Sequence, residues 1–218
     1  MNPRLSKKRN AAMTLFEVGA VIAIVLILVV VLLPALNTIR HRAARITCVN
    51  CLMQIGMAAR VWAGDNGDVY PMGISVTNGG SMEMVATGDV VQTFLVMSNE
   101  LSTPYILYCP ADTARIRTTS FAGLSNSNIS YFISVDATND TNPQMIISGD
   151  CNFENGGVPV KSGLRSFWTN DPVAWSATRH VLKGNIGLAD GSVQTADSSK
   201  LRDLLQQTGL ATNRFAIP

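Results

Sequence analysis

The hydrophobic positions near the start of this chain form one uninterrupted block. No charged side chain occurs from Val18 to Leu36, and a single carboxylate, Glu17, stands directly before that block. A helix rises about 1.5 Å per residue, so a block of this length spans a hydrocarbon core of roughly 30 Å. The pattern therefore predicts a membrane-spanning helix over this block, preceded by a short basic leader.

Beyond this block the pattern becomes amphipathic. Apolar residues recur at spacings of three and four, which is typical of one face of a helix; they are Leu36, Ile39, Ala43, Ile46, Val49 and Met53. A cluster of turn-forming residues occupies positions 64–68. We therefore expect the helix to continue over residues 37–64 and to end at this cluster.

Residues 65–218 change to short apolar runs bounded by Gly, Pro, Asn and Asp, which favours an α+β head domain. A short helix is predicted within Val90–Met97, and a final helix over Ser199–Gln207 with Ser198 as its cap and Gly209 after its end. Asp190-Gly191 between two β-capable runs indicates a hairpin. The predicted strands are Tyr105–Tyr108, Ile129–Val135, Gln144–Ser148, Asn185–Ala189 and Ser192–Thr195.

Composition and charge limit the classes of function. The chain has 218 residues, of which 47% are hydrophobic, enough for one membrane helix and one soluble domain. The formal net charge of +2 depends on four basic residues in the leader, and without them 13 basic side chains face 15 acidic ones. We therefore expect no nucleic-acid partner.

The leader ends in small residues that precede the apolar block. A secretory signal peptide places such residues after a shorter apolar run, whereas here Ala12 is followed by Met13-Thr14-Leu15-Phe16-Glu17. This segment resembles the signal of type IV prepilins and type II secretion pseudopilins. The family usually has Gly where this chain has Ala12, and Phe where it has Met13. The resemblance implies cleavage between Ala12 and Met13, N-methylation of Met13, and assembly roles for Glu17 and Pro34. It thereby implies a cytoplasmic leader at residues 1–12 and a membrane helix over residues 13–36.

This resemblance also implies a location, a fold and partners. It implies a single-pass inner-membrane protein with its carboxyl-terminal head in the periplasm. The fold would be pilin-like, with the long amino-terminal helix packed on an antiparallel sheet. The partners would be other subunits of a pilus or pseudopilus fibre, a prepilin peptidase, an inner-membrane assembly platform and membrane lipid. Orientation rests on the resemblance alone, because basic residues on the two sides of the block are nearly balanced.

Glu17 has two interpretations. A carboxylate inside a membrane segment is costly unless it pairs with another group, and the amino terminus of a neighbouring subunit would supply such a group in a fibre. Alternatively, the side chain reaches the interface or is protonated.

A second resemblance lies further along the chain. Arg179-His180 is followed after nine residues by Asp190-Gly191, which resembles the H-x9-DG signature of a large prepilin-like family. The helix segment from Cys48 to Gly56 and the element Cys109-Pro110-Ala111-Asp112 resemble other parts of the same family.

His180 and Asp190 could act as a catalytic pair or as two metal ligands. The alternative is structural: Asp190 and Gly191 form a type I′ turn with positive φ at both residues, and the His180 ring hydrogen-bonds the hairpin or the sheet edge. No Gly-x-Ser-x-Gly motif is present, so we expect no enzymatic activity. The contrasting hypothesis is a membrane-anchored periplasmic enzyme or ligand-binding module, which a cleft around His180, Asp190 and Asp150 would favour.

The chain has four cysteines. Cys48 and Cys51 have the spacing of half a zinc site, but they fall on the predicted helix and no second pair with metal spacing follows. We expect them to be two small buried residues, and we expect no metal and no cofactor. A disulfide is chemically feasible in an exported domain, and we predict Cys109 with Cys151, because each follows the end of a predicted strand.

Overall fold

The structure, a computed structural model, describes residues 15–218 apart from the side chains of residues 34–41. The predicted cleavage and methylation positions, Ala12 and Met13, lie outside these residues, and so does the side chain of Pro34. One helix, α1, runs from Leu15 to Asp65. Contacts divide the chain into two compact units, with the boundary between Arg42 and Ala43. The second part of α1 therefore belongs to the same unit as the head.

The first unit contains the apolar part of α1. Residues Leu15–Leu33 have a mean hydropathy of 3.1, and none of this segment is buried. It is long and apolar enough to cross a membrane. This is compatible with a single-pass anchor, and a signal sequence meets the same criteria of length and composition.

In the second unit α1 is a core helix of the head, although its buried face is not the predicted one. Ile46 and Met53 from the predicted stripe are 62% and 41% exposed. The buried face also follows helical spacing, but it consists largely of Cys and Ala, which a hydrophobicity pattern weighs lightly. Its members are Cys48, Cys51, Leu52, Ile55, Ala58, Ala59, Trp62 and Ala63.

The centre of the head is a six-stranded sheet in which every neighbouring pair of strands is antiparallel. Its strands are β1 Tyr131–Ser134, β2 Ile146–Asp150, β5 Gly163–Trp168, β7 Gly184–Leu188, β8 Val193–Ala196 and β9 Thr212–Ile217. They lie side by side in the order β5-β9-β1-β2-β7-β8. A three-stranded antiparallel sheet, with the order β4-β3-β6, is formed by β3 Phe153–Asn155, β4 Val158–Pro159 and β6 Val173–Trp175.

The large sheet is buried on both faces. Side chains alternate between the faces of a strand, so Tyr131 and Ile133 of β1 join the core that contains α1, whereas Phe132 joins a second core. The second core includes the small sheet and helix α5, Ser198–Gln207. The expected α+β class, with a long amino-terminal helix followed by an antiparallel sheet domain, is therefore confirmed.

Several predicted elements are confirmed and others are wrong. The short helix is present as α3, Val91–Val96, between α2, Met82–Ala86, and α4, Ser98–Leu101. The predicted strand at residues 105–108 is instead a 3-10 helix, Pro104–Leu107, because proline at the first helical position and the Thr103 cap favour a helical start. Helix α5 is capped by Asp197 rather than Ser198, since the Asp197 carboxylate accepts from the Lys200 N–H at 2.9 Å.

Candidate functional site

Two motif segments that are distant in sequence dock side by side in the head. Residues 109–112 follow the 3-10 helix Pro104–Leu107, and Arg179-His180 follow β6. His180 Nε2 lies 3.4 Å from Cys109 Sγ, and the Arg179 guanidinium pairs with the Asp112 carboxylate. Each segment therefore supplies one residue to the histidine contact and one to the ion pair.

The ion pair is buried and joined to the surrounding chain by hydrogen bonds. The side chains of Arg179 and Asp112 are 8% and 2% exposed. Arg179 also donates to the Ser130 carbonyl at 2.9 Å and to Cys151 Sγ at 3.4 Å. Asp112 accepts from the Ser130 hydroxyl at 2.8 Å and from the Ala114 N–H at 3.1 Å. These bonds fix the two segments against the start of β1.

Asp150, at the end of β2, completes the histidine cluster. Its Oδ2 lies 3.6 Å from His180 Nε2, and both side chains are completely buried. The same oxygen accepts from the backbone N–H and the side-chain amide of Asn185, each at 2.8 Å. Burial raises the pKa of Asp150 to about 6, although the Asn185 hydrogen bonds and the Arg179 charge act in the opposite direction.

The backbone after Arg179 has an unusual conformation. His180, Val181 and Leu182 have φ angles of +48°, +54° and +57°, a left-handed region that is unfavourable for residues with a Cβ atom. Val181 and Leu182 are 64% and 55% exposed, so their own side-chain packing does not account for this turn. The turn instead brings the His180 ring into the interior while the next residues stay at the surface.

The predicted Cys109–Cys151 disulfide is wrong. Cys109 is bonded to Cys48 of α1, with Cα atoms 5.6 Å apart, and Cys51 and Cys151 are free and buried. The Cys151 thiol instead donates to the Ser130 carbonyl at 3.2 Å. The sequence analysis treated Cys48 as a small core residue, but Cys48 lies on the buried face of α1 with its sulfur beside Cys109.

Asp190 and Gly191, at the other end of the H-x9-DG motif, contact other residues than those of the His180 cluster. The exposed Asp190 lies in a three-residue loop, in which Gly191 N donates to Leu188 O at 3.0 Å and Asp190 Oδ1 accepts from Ser192 N at 2.8 Å. Gly191 has φ +86°, whereas Asp190 does not have a positive φ. The predicted type I′ turn is therefore wrong, and the loop fits a type I turn followed by a left-handed glycine. Arg60 of α1 donates to Asp190 O at 3.1 Å.

The predicted pair of His180 with Asp190 is thus not brought together; Asp150 faces His180 instead. A cysteine–histidine–aspartate relay requires the nucleophile and the carboxylate on opposite ring nitrogens. Here Cys109 and Asp150 are both placed against Nε2. The ligand atoms of Cys48, Cys109, Asp150 and His180 all lie within 4.8 Å of one another and all four residues are buried. Four buried ligand atoms this close together favour a disulfide cross-link or a bound cation. A catalytic proton relay would need access to a substrate.

At the other end of the described chain, Glu17 lies in the first turn of α1 and is exposed. The residue for which we predict an assembly role therefore lies at the start of the apolar segment.

Comparison with models of known protein families, with curated proteins and with solved structures found no match for this chain. The fold and the contacts of its residues are therefore the basis for a function.

Proposed function

We propose that this protein is a prepilin-type subunit, pseudopilin-like in organisation. It is cleaved between Ala12 and Met13, N-methylated at Met13 and assembled into a pilus- or pseudopilus-like fibre, in type II secretion or a related envelope system. The anchor is the apolar first part of α1 in the inner membrane, and the head lies in the periplasm. Its partners are other subunits, the prepilin peptidase, the assembly platform and lipid.

One observation carries this proposal. A single helix of 51 residues begins with an apolar segment that is exposed along its whole length and continues as a core helix of the head. Glu17 is the one charged residue of this helix before Arg40. A carboxylate at the mouth of a membrane segment is stabilised by an opposite charge, and in a fibre the amino group of an adjacent subunit would add such a charge.

The head supports a structural role. Cys48 and Cys109 form a disulfide between α1 and residue 109, which suits an oxidising compartment such as the periplasm. The cluster around His180 is fully buried, with Asp150 0% exposed. A catalytic or ligand-binding site must admit its substrate. The competing hypothesis of an anchored periplasmic enzyme therefore gains no support from this cluster.

Assembly is tested by removing the carboxylate charge with little change in shape. Glu17→Gln in cells with an active peptidase and assembly machinery should still be cleaved, and its head should still fold. It should lose chemically cross-linkable multimers, because the amide cannot form an ion pair with the neighbouring amine. Val21→Ala is the matched control, since Val21 lies one helical turn further on and carries no charge. Multimers of Glu17→Gln at the wild-type level would contradict the pairing.

Processing is tested by the intact mass of the membrane-extracted chain. The expected mature chain begins at methylated Met13 and retains the apolar part of α1. A mature terminus beyond Leu36 would identify the segment as a removed signal sequence, and an uncut leader would equally contradict the proposal.

A further inference from the structure

We infer that Cys48, Cys109, Asp150 and His180 form a zinc site when the two cysteines are in the dithiol form. The same two sulfurs thus serve either of two cross-links, a disulfide or a zinc dithiolate. This inference concerns the head alone and does not depend on fibre assembly.

The positions of the ligand atoms carry the inference. In tetrahedral zinc sites the metal lies about 2.0–2.1 Å from histidine nitrogen, 2.3 Å from sulfur and 2.0–2.2 Å from carboxylate oxygen. With tetrahedral angles, these bond lengths place nitrogen about 3.6 Å from sulfur and about 3.4 Å from oxygen. The observed separations from His180 Nε2 are 3.4 Å to Cys109 Sγ and 3.6 Å to Asp150 Oδ2. The histidine, one sulfur and the carboxylate therefore have spacings close to those of a zinc tetrahedron.

The ligand types also select the metal. Two thiolates, one imidazole and one carboxylate favour Zn²⁺ over Mg²⁺ or Ca²⁺, which prefer oxygen ligands. Four protein ligands leave no open coordination position, as in structural rather than catalytic zinc sites. All four residues are buried, which agrees with a closed site.

Neighbouring groups already hold the ligands in place. Asp150 Oδ2 is fixed by its two hydrogen bonds from Asn185, and Asn185 Oδ1 accepts from the Thr195 hydroxyl at 2.9 Å. The other carboxylate oxygen, Oδ1, is buried and has no hydrogen-bond partner in the described part of the chain. A buried carboxylate is costly unless a positive charge lies beside it, and a cation bound at Oδ2 would supply that charge. Such outer contacts orient metal ligands in proteins.

Conversion between the zinc dithiolate and the disulfide releases or takes up a fixed number of protons and electrons. When Zn²⁺ binds the dithiol form, both thiols lose their protons. When a disulfide reagent oxidises the zinc-bound pair, two electrons pass from the thiolates to the reagent. The Cys48–Cys109 bond forms, the reagent's S–S bond breaks, each of its sulfurs takes up one proton, and Zn²⁺ leaves. The two protein sulfurs move from about 3.8 Å apart on the metal to about 2.05 Å in the bond.

The decisive experiment compares two states of one polypeptide. The full chain is purified in detergent without metal, and one half is reduced with a phosphine and the other half kept oxidised. Each is incubated with Zn²⁺ and desalted, and its zinc content is measured by mass spectrometry. We expect about one zinc ion per reduced chain and at least about tenfold less per oxidised chain. Titration of a disulfide reagent into the loaded chain should release zinc in step with the loss of thiols.

Substitutions and a spectroscopic probe identify the ligands. Cys48→Ser and His180→Gln should each lower zinc affinity by at least about tenfold, whereas Cys51→Ser, a buried thiol on the same helix, should leave it unchanged. Co²⁺ in the reduced wild type should show tetrahedral visible bands and thiolate charge-transfer absorption. Equal zinc content in the reduced and oxidised chains would overturn the inference. So would an octahedral cobalt spectrum, or a loss in Cys51→Ser as large as in Cys48→Ser. The comparison of zinc content and the cobalt spectrum both use the wild-type chain. They therefore test the inference even if a substituted chain does not fold.

Discussion

The Cys48–Cys109 disulfide should contribute a large part of the stability of the head. Its cysteines are 61 residues apart in sequence. In the chain-entropy description, closing a loop of this length removes about 14 cal/mol/K from the unfolded ensemble, which is about 4 kcal/mol at 25 °C. Small domains have free energies of unfolding of about 5–15 kcal/mol. Reduction in the presence of a metal chelator should therefore lower the free energy of unfolding by about 4 kcal/mol.

Tryptophan fluorescence is a suitable probe of this change. Trp62, Trp168 and Trp175 all belong to the second compact unit, so urea unfolding of the full chain in detergent reports on the head. The oxidised and reduced chains are compared at the same detergent and chelator concentrations. The reduced chain should have a lower midpoint, together with a larger dependence on urea, because its unfolded state exposes more surface.

The reasoning would be refuted by a difference below about 1 kcal/mol, which is far less than the loop-closure entropy of this separation. Cys51→Ala serves as the control, since it removes a buried sulfur from the same helix without opening a loop. Its loss of stability should be the same in the oxidised and reduced states.

The remaining predictions use the same unfolding assay. Arg179→Met removes the nearer counter-ion of the buried Asp112 carboxylate and leaves only Arg115, whose Nε lies 3.9 Å away, so it should cost about 3 kcal/mol. A loss below about 1 kcal/mol, the usual value for a surface ion pair, would contradict this. Gly184→Ala should cost about 1–3 kcal/mol, because its Cβ would lie 2.4 Å from the buried ring of Trp175, and an unchanged midpoint would show that the ring can move. Gly191→Val should cost about 1 kcal/mol or more, since its φ is +86°, and wild-type stability would contradict the assigned loop.

Sequence patterns predicted those elements that depend mainly on residues close together in the chain. The uncharged block before Leu36 predicted the apolar helix, and Asp190-Gly191 predicted the hairpin. Strand β9 was not predicted, although it lies between β5 and β1. Its sequence, Thr-Asn-Arg-Phe-Ala-Ile, begins with polar residues. Its central place depends on pairing with distant strands, and local propensity does not encode such pairing.

The site required information that spacing along the chain does not contain. The H-x9-DG motif drew attention to His180, but it paired the histidine with Asp190 rather than with Asp150. The interacting carboxylate lies on β2, 30 residues before the histidine. The CxxC spacing drew attention to Cys48 and Cys51 together, whereas the helix buries Cys48 against Cys109 and leaves Cys51 as a free thiol. In both cases the nearest neighbour in sequence was a poor guide to the nearest neighbour in space.

The position of β9 in the sheet also constrains when the head can fold. Ile133 of β1 pairs with Ala216 of β9, which is synthesised about 80 residues later. At about 5–20 residues per second, β1 waits roughly 4–16 s for this neighbour. During that time one edge of β1 is open to pairing with other chains. For the export of the head that we propose, this delay would be useful, because a chain that cannot complete its sheet early remains unfolded enough to be threaded across a membrane.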